Sequence, residues 1–191
     1  MKKILIINGH PYEDSIASAL QKAYVEGAES VGHTVYQLYL RELNFRYDLP
    51  QGYRQLPEPE EHIKRVWEMI NEADHLVFIY PNWWATYPAM LKGFIDRVFI
   101  PGFAFKYVNG GRRKKLLTGK SARIIVTMDD PAWYYQLILG SPGSKALKKA
   151  VLRFCGVSPV RITTLGQIRK LRNNQLDNVL KRCRLLGMKA I

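Results

Sequence analysis

The chain has 191 residues, of which 47% are hydrophobic and 24% are charged. This balance excludes a disordered chain, and we expect one domain over residues 1–191 with a continuous core. No segment approaches the roughly 20 apolar residues of a membrane-spanning helix. Cys155 and Cys183 lack the spacing of metal ligands, so we expect reduced core cysteines, no metal site and a cytoplasmic location.

Continuous apolar runs alternate with amphipathic stretches along the chain. The runs predict five strands over 4–8, 34–40, 75–80, 122–128 and 159–164. Helical spacing places Leu20, Tyr24, Ala28 and Val31 on one stripe, and further helices are predicted near 63–70, 88–99, 145–154 and 176–186. The alternation predicts an α/β fold, a doubly wound parallel sheet with helices on both faces.

The formal net charge of +13 comes largely from two places. Residues 161–191 hold eight Arg and Lys against Asp177, and Arg112–Lys115 form a basic cluster in an expected loop. We interpret these as solvated faces, while phosphorylated ligands or peripheral membrane contact stay open. No recognised nucleic-acid motif accompanies them, so we expect no nucleic-acid partner.

Ligands of such sheets bind at the carboxyl ends of the strands, which directs attention to three loops. After the first strand, Ser15 can cap a helix while the N–H groups of Ile16 and Ala17 bind an anion, and His10 can donate to a phosphate. A simple N-cap is the alternative interpretation. No G-x-G-x-x-G motif is present, so the loop suits a single phosphate better than a dinucleotide.

After the third strand, the run from Pro81 to Pro88 contains adjacent Trp83 and Trp84. Two tryptophans at a strand exit are difficult to bury, because each indole N–H needs a partner. They suit the wall of a flat aromatic ligand, and the prolines fix the loop so that its amides can bond ring heteroatoms. Packing between helix and loop is the alternative.

At these residues the sequence resembles the flavodoxin-like NAD(P)H:quinone oxidoreductases, the group of DT-diaphorase and small bacterial reductases. Pro81–Phe105 carries the most specific similarity, and 10–15 matches as well. The resemblance implies a flavodoxin-like five-stranded sheet, FMN (with FAD as the alternative), NAD(P)H as co-substrate and a homodimer. Hydride would pass from NAD(P)H through flavin N5 to a quinone or similar planar acceptor in a ping-pong cycle.

The resemblance also implies roles for individual residues. Tyr135 would be catalytic, donating a hydrogen bond to flavin or substrate. The implied cofactor-binding residues are His10, Ser15, Ile16, Ala17, Ser18, Pro81, Asn82, Trp83, Trp84, Ala85, Thr127, Met128 and Asp129. Apolar walls for the acceptor would come from Phe103, Phe105, Tyr134 and Tyr135.

Three positions depart from the family pattern. Ala17 replaces an Asn, with Ser18 as a substitute donor; Asp129-Asp130-Pro131 replaces a glycine-rich loop; and residues 140–143 lack the family's histidine. Two other functions stay open. The first alternative is a flavin-binding electron carrier, which the basic charge does not favour. The second is an ancillary regulatory subunit of a membrane transporter.

Overall fold

The computed structural model describes residues 1–191 with the exception of the side chain of residue 109. The elements in chain order are β1 (Lys3–Asn8), α1 (Ile16–Glu29), β2 (Thr34–Tyr39), α2 (Glu61–Glu72), β3 (His75–Pro81), α3 (Ala89–Val98), β4 (Phe105–Val108), β5 (Arg112–Lys115), β6 (Ser121–Thr127), α4 (Pro142–Lys145), α5 (Arg153–Cys155), β7 (Val160–Leu165) and α6 (Asn173–Lys189). Two π-helical segments, Tyr134–Ile138 and Ala146–Leu152, lie around α4.

Five parallel strands form the main sheet in the order β2-β1-β3-β6-β7. The chain moves outward from β1 to β2 and then returns to β3, so the strand order reverses between β1 and β3. This reversal opens a crevice at the carboxyl ends of the two strands, where the following loops diverge to opposite faces. The predicted five-stranded, doubly wound architecture is confirmed.

The strands are apolar throughout because helices cover both faces of the sheet. In β1, Leu5 and Ile7 face a core cluster with α2, α3 and the helical region after residue 142. Ile4 and Ile6 face a second cluster with α1 and α6. Both cysteines are buried and free, in agreement with the expected core role.

Two predictions about local structure were wrong. Helix α1 ends at Glu29, and Val31 is exposed rather than part of the apolar stripe. The basic cluster 112–115 is strand β5, paired antiparallel with β4, and not a loop. Both hairpin strands are largely solvent-exposed, so they carry no apolar alternation that a sequence pattern could reveal. Gly110 and Gly111 turn the chain with φ of 78° and 73°.

Candidate functional site

A cavity of about 210 Å³ lies at the carboxyl edge of the sheet, beside the point where the strand order reverses. The loops after β1, β3 and β6 meet there, as the sequence predicts, and the loop after β7 joins them. The lining residues are His10, Tyr12, Ser15, Ile16, Ala17, Pro81, Asn82, Trp83, Thr127, Met128, Asp129, Ile168 and Arg169.

The loop after β1 ends at the N-terminus of α1. The Ser15 side chain accepts a hydrogen bond from the Ser18 N–H at 3.2 Å, which confirms Ser15 as the N-cap. The first N–H groups of a helix have no intrahelical partner, so Ile16 and Ala17 present donors at the positive end of the helix dipole. This end of the cavity is therefore suited to a phosphate.

His10 stands beside this helix end. Its Nδ1 lies 3.2 Å from the Tyr12 carbonyl oxygen, which leaves Nε2 for a ligand among the contacts of the described residues. Burial lowers the pKa of His10, and the bond to the Tyr12 carbonyl offsets this effect only in part. Nδ1 also lies 3.4 Å from the Tyr12 nitrogen, and in the tautomer where Nδ1 accepts that N–H, Nε2 carries the ring proton and can donate a hydrogen bond to an anion.

The loop after β3 contains a tight turn. Trp83 and Thr86 exchange backbone hydrogen bonds of 2.8 and 3.0 Å, while Trp84 and Ala85 have φ of 52° and 60°. Two successive residues with positive φ define a type I′ turn, which normally contains Gly or Asn. Each such non-glycine residue costs on the order of 1 kcal/mol, and strain of this kind concentrates at functional sites.

Neighbouring backbone holds this turn in place. The Gly143 N–H donates to the Ala85 carbonyl oxygen at 3.1 Å. A Cβ added at Gly143 would lie 2.5 Å from the Thr86 Cα, so only glycine permits the approach. The start of α4 therefore supports the turn directly.

Asn82 links two of the loops and retains one unused acceptor. Its N–H donates to the Thr127 carbonyl oxygen at 2.7 Å. Its Oδ1 is buried and has no hydrogen-bond partner in the part of the chain that the structure describes. A buried amide oxygen in a cavity wall without a partner indicates a ligand donor, because an unsatisfied acceptor is costly.

The remaining walls come from the loops after β6 and β7. Thr127 and Met128 are buried, whereas Asp129 is exposed and pairs with Arg169 across the cavity mouth at 3.1 Å. Sequence reasoning missed Tyr12, Ile168 and Arg169. The loop after β7 carried a signal, since it also follows a strand at the carboxyl edge, but it is distant from the reversal of strand order.

Four predicted residues lie outside the cavity lining. Ser18 faces a neighbouring cavity, and the Ala85 side chain is half-buried beside the turn. The Trp84 side chain is 99% exposed, so it walls nothing within one chain. Tyr135 is 1% exposed, and its hydroxyl accepts the Ser144 N–H at 3.1 Å, so within one chain this hydroxyl is not presented to the cavity.

The predicted acceptor walls are not brought together either. Phe103 stacks on Trp67 with ring centroids 5.2 Å apart, and Phe105 packs on Phe154 in a different cavity of about 400 Å³. Within one chain these rings are separate from the site between the four loops.

Comparison with known proteins supports the same fold. A family profile described as "Flavodoxin-like fold" matches residues 2–185. The chain belongs to this flavodoxin-like family. Ribosyldihydronicotinamide dehydrogenase (quinone) of Mus musculus is 31% identical over 179 residues, which are 81% of this chain and 77% of the mouse protein.

Two further proteins resemble this member of the flavodoxin-like family. An FMN-dependent NADH:quinone oxidoreductase of Macrococcus caseolyticus is 28% identical over 184 residues, covering 80% of this chain and 87% of that protein. The structure of NAD(P)H:quinone oxidoreductase from Methanothermobacter marburgensis aligns with a TM-score of 0.85 at 27% identity, covering 100% of this chain and 99% of that one.

Two other kinds of site are absent from the described residues. No group of His, Cys, Asp and Glu side chains there could hold a metal ion. The helices there are also too short or too polar to cross a membrane.

Proposed function

We propose that this protein is an FMN-dependent oxidoreductase that takes electrons from NAD(P)H and reduces a quinone or a similar planar acceptor. One observation carries the proposal. The N-terminus of α1, which suits a phosphate, and Asn82, whose buried Oδ1 is unpartnered and suits a ring N–H, line the same cavity beside the strained turn. The quinone-reducing relatives, one described as FMN-dependent, support this chemistry.

The residues present fit the cofactor group by group. The Ile16 and Ala17 amides and the His10 ring would hold the phosphate. Asn82 Oδ1 would accept a hydrogen bond from a ring N–H, and Trp83 and Met128 would provide apolar contact. Ser18 and the backbone of Trp84 and Ala85 belong to the proposed binding set as neighbours of these groups. A bound flavin would accept hydride from NAD(P)H at N5 and return it to the acceptor.

The residues of the chain would orient the bound groups. The rigid turn at 83–86 fixes the loop amides before the ligand arrives, so little ordering is required on binding. The His10 ring would donate a hydrogen bond from Nε2 to the phosphate. NAD(P)H and the acceptor would use the same space in turn, which is the basis of the proposed ping-pong cycle.

We include a homodimer in the proposal. Trp84, Trp133, Leu137 and Ile138 are strongly exposed apolar side chains near the site. Exposed apolar area of this kind is typical of an interface. A second copy could bring its aromatic cavity around Phe105 and Phe154 to the open side of the flavin site and complete the acceptor wall.

Single-turnover kinetics tests the function. FMN-loaded protein is mixed anaerobically with NADPH or NADH, and flavin absorbance is followed; the reduced protein is then mixed with a benzoquinone. We expect bleaching in the first step and full recovery in the second, with parallel lines in steady-state double-reciprocal plots. Bound flavin that neither nucleotide reduces would contradict the enzyme and favour the electron carrier.

A further inference from the structure

A second cavity, of about 530 Å³, adjoins the flavin site and shares Ser15 with it. It lies between α1 and the end of β2. Its lining residues are Glu13, Asp14, Ser15, Ser18, Ala19, Lys22, Val25, Glu26, Gln37, Tyr39 and Arg41. The proposed flavin phosphate would therefore stand at the wall between two cavities, with Arg41 on the far side.

Arg41 is a cation with unused bonding capacity. Its side chain is only 15% exposed, and its guanidinium lies 4.3 Å from the centroid of the Tyr39 ring. One nitrogen, Nη2, donates to Glu42 at 3.1 Å. The other, Nη1, is buried without a hydrogen-bond partner among the described residues. A desolvated guanidinium of this kind is costly unless an anion compensates it.

The acidic groups nearby compensate Arg41 poorly. Glu42 is 61% exposed, and Glu13 and Asp14 are exposed as well, so water screens their charges. The field of Arg41 does reach the phosphate loop: after burial, which is the larger cause, the Arg41 charge also lowers the pKa of His10. The other cations near the site are less suitable, because the side chains of Arg169 and Lys22 are exposed and water screens their charges.

We infer that Arg41 is the counter-charge for the phosphate of the bound flavin and makes the site select phosphorylated flavin over riboflavin. The inference rests on the proposed function and adds a residue outside the cavity that holds the ring. The helix end and His10 provide hydrogen bonds and partial charge, whereas Arg41 provides a largely buried full positive charge from the cavity that shares Ser15 with the flavin site. Its action is electrostatic, through the low-dielectric wall between the cavities.

The test measures dissociation constants for FMN and for riboflavin by quenching of flavin fluorescence. Arg41→Met keeps a long side chain over the Tyr39 ring and removes the charge, while Arg41→Lys keeps the charge. Lys22→Met removes an exposed cation from the same cavity. We expect Arg41→Met to lower the preference for FMN over riboflavin about tenfold, the scale of one charge-assisted interaction. Arg41→Lys should retain most of the preference, and Lys22→Met should change it less than about twofold.

Each other outcome has a definite meaning. An unchanged FMN-to-riboflavin ratio in Arg41→Met would overturn the inference while leaving the proposed function intact. Equal losses for FMN and riboflavin would show a packing effect and overturn it too, as would an equal loss of preference in Lys22→Met. A parent protein that binds neither flavin would instead refute the proposed function. Thermal unfolding of each flavin-free variant confirms that the binding data come from folded protein.

Discussion

The two edges of the main sheet are built from the same strands but treat polar groups in opposite ways. At the amino edge, neighbouring segments pair with one another except at the buried His75 Nε2: Lys3 and Asp74 exchange two hydrogen bonds, and the Lys120 ammonium donates to the carbonyl oxygens of Asn71 and Ala73 at 2.7 Å. At the carboxyl edge, the α1 amides and Asn82 Oδ1 are left for a ligand. We call the amino edge the closed edge and the carboxyl edge, where the proposed binding groups lie, the open edge.

Two tryptophans give the largest expected contrast. The Trp67 indole donates to the Val98 carbonyl oxygen at 3.1 Å and stacks on Phe103 in the packed body, whereas Trp84 is exposed on the open edge. We expect Trp67→Ala to lower the free energy of unfolding by about 3–5 kcal/mol with little effect on flavin affinity. Trp84 belongs to the exposed apolar face of the proposed homodimer, so Trp84→Ala should weaken flavin binding through that interface and leave the stability of the single chain nearly unchanged. Denaturant unfolding and flavin titration of both variants check this, and equal flavin affinity in Trp84→Ala and the parent would contradict it.

Gly143→Ala tests whether the strained turn is the platform for the ring. The new Cβ would displace the Thr86 backbone, and overpacking of this kind costs about 1–3 kcal/mol. We expect flavin affinity to fall about tenfold or more as the turn shifts. Gly119→Ala is the control for a glycine replacement without a clash, because its φ of 81° strains the backbone but the added Cβ has no atom within 4 Å. A flavin affinity in Gly143→Ala equal to that of Gly119→Ala would show that the turn does not support flavin binding.

His75 gives a pH test of the closed edge. Its Nδ1 bonds the Ser121 hydroxyl at 2.8 Å, and burial lowers the pKa of His75 to about 3. The unfolded chain takes up a proton near pH 6.5, so His75 reduces stability only as the pH falls below that value. Between pH 7 and pH 5 the loss is about 2 kcal/mol from this group.

Unfolding of the parent and of His75→Asn at both pH values measures that loss. The variant should lack about this much of the parent's decrease, while His62→Asn, at an exposed position, should keep it. Identical pH dependence in the parent and His75→Asn would show that His75 is not the group responsible.

The smallest effect concerns the basic hairpin. If Arg112 and Arg113 attract the phosphates of NADPH, kcat/KM should fall a few-fold as salt rises, because exposed charges are screened over about 8–10 Å. The turnover number at saturating NADPH should change little, and a double neutralisation of Arg112 and Arg113 should reproduce the loss at low salt. Neither arginine lines the flavin cavity, so a flat salt profile would assign these charges to solubility alone.

The same contrast between the edges shows what the sequence could predict. The strands and the meeting of three loops follow from apolar runs and strand alternation, and the Ser15 cap follows from residue type. The turn at 84–85 could not be anticipated, since Trp and Ala rarely adopt positive φ and no Asn-Gly marks it. Tyr135 was assigned from resemblance, and residue identity alone does not reveal that Ser144 and the core enclose its hydroxyl.

The central claim is that the open edge holds one flavin per chain. Purified protein is incubated with FMN and separately with FAD, excess ligand is removed, and the visible absorption spectrum and the mass of the released chromophore are recorded. We predict a flavin spectrum with one FMN per chain and weaker retention of FAD. A protein that stays colourless after incubation with either flavin would contradict the account.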